Sequence, residues 1–579
     1  MSKRPLGGAC EPRVIHSIMR KILIFSALFL LAPHCHAQLS TDQKLSDFQD
    51  LVAAFSKHYA FYEWKLDALH FDGLSLTPWV DRIRNSKDDL AFWEICAQYV
   101  ASYQDSHSSF LLPSNYTARL GFGIDIYEGK VLIDSIDPKV FTDPNPAIRV
   151  GDELVAIDGK PVAGLITDMA SLVGDGNPPA GRRFAASLLV SREQDLVPRA
   201  HEVSNSALLL IHHQGGATDS IAVPWIVDGR PYLYAGPVPA PRLATTAVAD
   251  DSDAGAAPWP SYMDRARKRQ QFHLPAGRFL AGFGRLKPVF DMPAGFLPRL
   301  GQGRFDQFFT GTFTAGGFQI GYLRAPTFEF FAGSTLQKEI AFFDSSTDGL
   351  IVDVTRNPGG FGCTSEGLAR LLQPNGFHSL GVSIRATWFD VLGAQQDLDD
   401  AIAFGGTDDE IAELRTSLQY LQDAYKQNRG MTLPLPLCGP SQDIAPLVTK
   451  TGTIAYTKPI MILTDELTAS AAEIFAAIMQ DTGRAMIYGA RTDGAGGAVD
   501  GLSAGQYGET GVSLAVAIIV RKAPVVTMEF PAAPYIENIG VRPEVTASYM
   551  TVDNLLNNGK TFVDGFTAAM VDYLTSKKQ

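Results

Sequence analysis

Ser470 is a hydroxyl at a junction suited to anion chemistry. Residues 461–497 read MILTDELTASAAEIFAAIMQDTGRAMIYGARTDGAGG, and the serine stands where strand-favouring Met, Ile and Leu give way to Ala471, Ala472, Ile474, Phe475, Ala477 and Ile478 at helical spacing. A hydroxyl there lies over the unpaired N–H groups and positive end of the helix, where an oxyanion forming on an attacked carbonyl is stabilised. The same residues admit a plainer role, because serine is a common N-cap and Glu473, three residues on, completes a capping box. Asn357-Pro358-Gly359-Gly360 follows the strand LIVDVTR, a place where an α/β core opens a cleft or simply turns tightly. There is no HExxH, CxxC pair or P-loop, and His212 and His213 would face opposite sides of the strand LLLIHH, so no metal or cofactor is expected.

Five strings occur in order along the chain: QDSHSSF from Gln104, the NPGG turn, TASAAE, GAGG from Gly494, and YIENIGVRP from Tyr535. Together they resemble the tail-specific, or C-terminal processing, serine peptidases. The resemblance implies Ser470 as nucleophile, with Gly359 or Gly360 and the N–H of Ala471 as the oxyanion hole. Ser/Lys members of that family carry a lysine base where this chain has Ala495, and alanine cannot take a proton. QDSHSS is similar instead to the DxHS segment of the tricorn-like branch. That likeness implies His107 as general base, Ser106 as a relay, and Glu537 as the carboxylate that orients the imidazole, with Glu529 its rival. A neutral imidazole suits the role because it can take the hydroxyl proton near neutral pH and return it to the leaving amine. The resemblance further implies a peptidase core of the ClpP/crotonase type, a homodimer, and self-cleavage of an internal insertion.

The 579 residues are 46% hydrophobic and 19% charged, enough for two to four packed domains. A net charge of −13, with no Lys/Arg block beyond Arg265 to Arg269, argues against nucleic acid as a partner. Arg20-Lys21, the apolar run Ile22–Ala32 and Cys35-His36-Ala37 read as a secretory signal over residues 1–37, with Met19 the more typical start. The apolar run is too short for a stable membrane span. Export to the periplasm or beyond is expected. Cys96, Cys363 and Cys438 remain after cleavage; three cysteines make no disulfide framework, although one bridge can form, and Cys363 reads as a packing thiol.

The organisation read from the chain is multidomain α/β. Residues 38–115 form an N-terminal helical domain, opened by an amphipathic helix Thr41–His58 capped at Ser40 or Thr41. Residues 116–227 are PDZ-like, because IRVGDELVAIDGKPV places a glycine turn, a strand and an Asp-Gly hairpin in that family's order; such domains bind peptide ends by strand addition. Residues 228–316 lose periodicity and are punctuated by Pro and Gly, an insertion that either decorates the surface or covers the cleft until cut. Residues 317–579 alternate strand and helix as the peptidase core. The expected function is a secreted serine endopeptidase acting on proteins or peptides. The alternatives are a non-proteolytic ligand- or peptide-binding protein on the same scaffold, or a Ser/Lys peptidase using a displaced lysine such as Lys522.

Overall fold

The computed structural model describes residues 38–142, 147–235, 271–272, 282–329, 333–438, 448–449 and 454–578. The expected signal at 1–37 and most of 236–281 lie outside the described residues. The core is a seven-stranded sheet in the order 297–300, 309–315, 318–324, 349–353, 460–464, 485–489, 545–546. Its first pairings are antiparallel, and from Phe318–Arg324 onward neighbours run parallel. Parallel strands need covered faces. One face is covered by Leu336, Ile340, Phe343, Leu368, Ile474, Phe475 and Ile478 from three crossover helices, and the other by Phe562, Phe566, Met570 and Leu574 of the C-terminal helix. This agrees with the expected α/β peptidase core.

The core sheet begins earlier than the sequence reading placed it. Leu297–Leu300 and Phe309–Ala315 belong to the sheet, although both fall within 228–316. Their alternation is obscured by proline and glycine, and the Gly316–Gly317 pair, both at positive φ, forms the hairpin into Phe318–Arg324.

The N-terminal helices Thr41–His58, Tyr62–Leu69, Thr77–Arg84 and Asp89–Ala101 do not close a core of their own. Phe48, Phe55, Trp93 and Tyr99 pack in one cluster with Val512, Leu514, Ala515 and Ile518 of the long strand Gly511–Val525. That strand belongs to a second sheet with 109–111, 381–384, 435–436, 497–503 and 533–535. The first helix starts at Ser40, whose hydroxyl accepts from Gln43 N–H while the Gln43 side chain accepts from Ser40 N–H.

The PDZ-like sheet runs 122–127, 130–136, 153–157, 206–212, 218–224, with 160–161 beside 153–157. Asp158 and Gly159, at φ 51° and 76°, make the two-residue hairpin that the Asp-Gly pair predicts. The domain is bound to the core through buried charge. Arg183 forks onto Asp125 at 2.7 and 2.9 Å and reaches Glu466 at 3.1 Å, while Arg356 lies 3.9 Å from Asp125 and 3.8 Å from Asp465. Burial opposes the charge on Asp125, but the two arginines hold it below the ordinary carboxylate range.

Cys363 is not a packing thiol: it is bonded to Cys438 across a sequence separation of 75, with Cα atoms 5.4 Å apart. Sequence spacing alone could not pair them, because the fold brings the start of helix Gly362–Leu372 beside Leu435–Pro436. By the chain-entropy account a loop of this size constrains the unfolded chain by about 4 kcal/mol. The double variant Cys363→Ser/Cys438→Ser is therefore expected to show a lower Tm in thermal melts, and reductant should reproduce the shift in the parent only. Among the described residues no helix is long and apolar enough to cross a membrane.

Candidate active site

Strands Gly349–Asp353 and Ile460–Thr464 are parallel neighbours, so their C-terminal ends open on the same edge of the sheet. The loops that leave them are stitched together. Arg356 N–H donates to Asp465 at 2.8 Å, Thr468 Oγ1 to Val354 O at 2.9 Å, and Ala469 N–H to Asn357 O at 3.0 Å. Thus the NPGG turn and Ser470 are adjacent because two strands are. A Cβ added to Gly359, whose φ is 101°, would meet Ser470 Cβ at 2.6 Å and Ala471 N at 2.9 Å. Only glycine permits that approach.

Ser470 itself has φ 57° and ψ −121°, a conformation costly for a residue with a side chain. It directly precedes helix Ala471–Asp481, and the N–H of Ala471 belongs to the first turn, which has no intrahelical acceptor. Glu473 completes the capping box that the sequence predicts and does more. Its carboxylate accepts from Ser470 N–H at 3.0 Å, and also from Gly494 N–H at 2.7 Å, Ala495 N–H at 2.8 Å and Thr492 Oγ1 at 2.5 Å. The alanine at the family's lysine position is therefore held against the serine's own helix by its backbone. Burial, with Asp493 beside it, pushes the Glu473 carboxyl up to about 8.

His107 comes from the other end of the chain. Its Nε2 lies 3.1 Å from Ser470 Oγ, across 363 residues of sequence, and both side chains are buried. The imidazole is placed by the backbone around it. Asp105 accepts from His107 N–H and from Ser108 Oγ, each at 2.8 Å, Ser513 Oγ donates to His107 O at 3.0 Å, and strand Ser109–Leu111 pairs with Gly511–Ser513. The Ser106 hydroxyl accepts from Gly176 N–H at 2.9 Å and donates to Asp493 at 3.1 Å.

Glu537 is fully buried, one oxygen on Lys65 Nζ at 2.5 Å and the other on Gly496 N–H at 3.1 Å. Burial raises its carboxyl to about 8, Asp105 adds to the shift, and Lys65 opposes it. Its rival Glu529 sits at the surface against Arg542, 3.1 Å away. Of the expected oxyanion donors, Gly359 N–H is turned onto Asn357 Oδ1 at 2.8 Å. Gly360, at φ 133°, is pressed against Phe328 and Glu329. Asp493, Lys65 and Asn538 were not singled out in the sequence. Asp493 could have been, as the acid beside GAGG, but nothing in YEWKLDAL marks Lys65.

Two family models match: peptidase family S41 over residues 319–546 and a PDZ domain over residues 116–233. An uncharacterised protein of Chlamydia muridarum (strain MoPn / Nigg) is 25% identical, covering 92% of this chain and 94% of its own. A protein of Chlamydia trachomatis serovar D has the same identity and coverage. Among solved structures, mature CPAF, the chlamydial protease-like activity factor, superposes with a TM-score of 0.68 at 22% identity, covering 93% of this chain and 99% of its own. Its complex with lactacystin gives 0.68 at 21%. The α/β core joined to a PDZ domain is thus the fold of that protein. Residues 319–546 are a peptidase family S41 domain, and the chain is thus a serine-type peptidase by the domain it carries.

Proposed function

We propose that the chain is an endopeptidase in which Ser470 is the nucleophile, His107 the general base and acid, and Glu537 the carboxylate behind the histidine. The observation that carries this is the 3.1 Å approach of His107 Nε2 to Ser470 Oγ at a strained turn on a helix N-terminus. Ser470 Oγ bonds to the scissile carbonyl carbon as its proton passes to His107 Nε2. The oxyanion is met by the N–H of Ala471, with Gly360 the remaining donor of the turn, because Gly359 N–H is spent on Asn357 Oδ1. As the C–N bond breaks, His107 returns the proton to the leaving amine, and water then hydrolyses the acyl-enzyme by the reverse sequence. Glu537 stabilises the imidazolium from the buried cluster it shares with Asp105, while the Ser106 hydroxyl bonds Asp493 and Gly176 and its relay role rests on the resemblance alone. Lys522 is exposed, which disfavours a displaced lysine base.

A fluorophosphonate probe decides between enzyme and binding protein. Labelling should map to Ser470 and vanish in His107→Ala; an unlabelled, folded chain would favour the binding protein.

The same reading includes export through the 1–37 signal, cutting of the insertion by the enzyme itself, and a homodimer. Gln271–Phe272 pairs antiparallel with Phe361 and Gly360, which supports an insertion lying along the oxyanion turn. Trp388, Phe389 and Leu392 leave apolar surface exposed on helix Trp388–Ala403, which supports self-association. Native mass spectrometry of the purified protein reads N-terminus, cut sites and copy number together. An intact 1–579 monomer would remove all three.

A further inference from the structure

Lys65, on the N-terminal helices, spends its charge at the catalytic end of the molecule. It lies on helix Tyr62–Leu69, is 1% exposed, and is 472 residues from its ion-pair partner Glu537. Its ammonium makes three contacts: Glu537 Oε1 at 2.5 Å, Asn538 Oδ1 at 2.6 Å and Gln104 O at 2.8 Å. Those three use all its donors. Asn538, at φ 58°, completes the ring by donating to Gln104 O at 2.9 Å and accepting from Trp64 Nε1 at 3.1 Å. Gln104 is three residues ahead of His107, so one ammonium ties the Glu537 loop to the segment that carries the base.

We infer that Lys65 is a positioning residue of the peptidase site: its ammonium holds the Glu537 side chain and locks the Glu537–Asn538 turn to the Gln104–His107 segment. The inference rests on the Ser470–His107–Glu537 reading above. A lysine is a costly residue to bury, and a simple structural tie could be made by a neutral side chain. The charge has a specific use here. Burial and Asp105 both push Glu537 toward its neutral form, which would not stabilise an imidazolium, and Lys65 is the cation that opposes them. The other titratable group from the helical layer is Tyr59, whose phenol is driven well above its ordinary value by burial, Asp105 and Glu537 and so brings no charge. Gly496 N–H contributes a hydrogen bond but no net charge.

The sign of the effect follows. Activity requires Glu537 ionised, so it rises with pH through the Glu537 titration, and loss of Lys65 moves that rise to higher pH. The test compares the full-length chain with Lys65→Met, Lys65→Arg, Glu537→Gln and Lys65→Met/Glu537→Gln, assayed on an internally quenched peptide from pH 5 to 10. Lys65→Met is expected to lower kcat about tenfold or more at pH 7 with little change in KM. Its acid limb should move up by about one pH unit, and Lys65→Arg should restore both. The double variant should be no slower than Glu537→Gln. Should Lys65→Met fail to fold, Lys65→Gln removes the charge while keeping a donor for Asn538 and gives the same readings. A folded variant without the charge whose acid limb stays at the parent's pH overturns the inference, as do losses that multiply in the double variant. Ser470→Ala would still be inactive in either case. Activity surviving in Ser470→Ala or His107→Ala would remove the reading beneath.

Discussion

Replacing Ser470 or His107 by alanine is expected to lower kcat for casein hydrolysis by about 10⁴-fold or more, and the double variant by hardly more than either alone. A nucleophile and its base act as one unit, so removing one partner already forfeits the concerted proton transfer. The geometry makes this sharp: His107 Nε2 is 3.1 Å from Ser470 Oγ and both are buried, so bulk water is poorly placed to substitute for the lost base. Fold and activity separate cleanly in Ser470→Ala. The change removes one oxygen and leaves the backbone contacts of Glu473 with Ser470, Gly494 and Ala495 in place. Its Tm should stay within a few degrees of the parent's, since alanine gives up the hydroxyl's contacts with His107 and the helix cap but leaves the backbone bonds in place. The uncut insertion should persist in this variant during storage of the purified protein. Turnover surviving in either single variant, measured after active-site titration excludes contaminating protease, would end the proposed mechanism.

Gly359→Ala is the second large effect, and it acts through space rather than chemistry. The new methyl would lie 2.6 Å from Ser470 Cβ and 2.9 Å from Ala471 N, both on a tightly bonded backbone that has no room to yield. The φ of 101° adds about 1–3 kcal/mol of strain. Displacing the turn takes donors away from the oxyanion, and one lost donor is worth about 10²–10³ in kcat. The expected result is a kcat reduced by at least about a hundredfold, a smaller change in KM, and a Tm lower by a few degrees. Gly405→Ala is the control. Gly405 also has positive φ, 77°, but its Cβ would meet nothing within 4 Å, so this variant should lose stability and keep its kcat. Equal activity in the two variants would show that the turn does not serve the reaction.

Much of this site was legible because its parts are short, local and constrained by backbone geometry. A serine between strand and helix, a glycine pair after a buried strand, and an Asp-Gly hairpin each announce themselves within a few residues, and the structure has the last of these at the φ values the turn requires. What escaped depends on distance in sequence. Lys65 meets Glu537 across 472 residues and Cys363 meets Cys438 across 75, and neither pairing leaves a mark on the sequence near either partner. Strands 297–300 and 309–315 escaped for a different reason: they begin the sheet, and proline and glycine between them imitate the punctuation of a loop. The assignment of 38–115 as a helical unit captured its helices and missed that their apolar faces are completed by a strand from residues 511–525.

That shared layer makes the enzyme's competence a matter of timing. Lys65 and the segment that bears His107 meet partners 472 and 406 residues further along the chain, so they must wait for those partners to be made. Contacts of such sequence separation are slow to form. A ribosome-bound chain that has not yet emerged past Asn538 holds the serine and the histidine without their supports. On the proposed mechanism, silence during synthesis would follow from the order of the polypeptide itself.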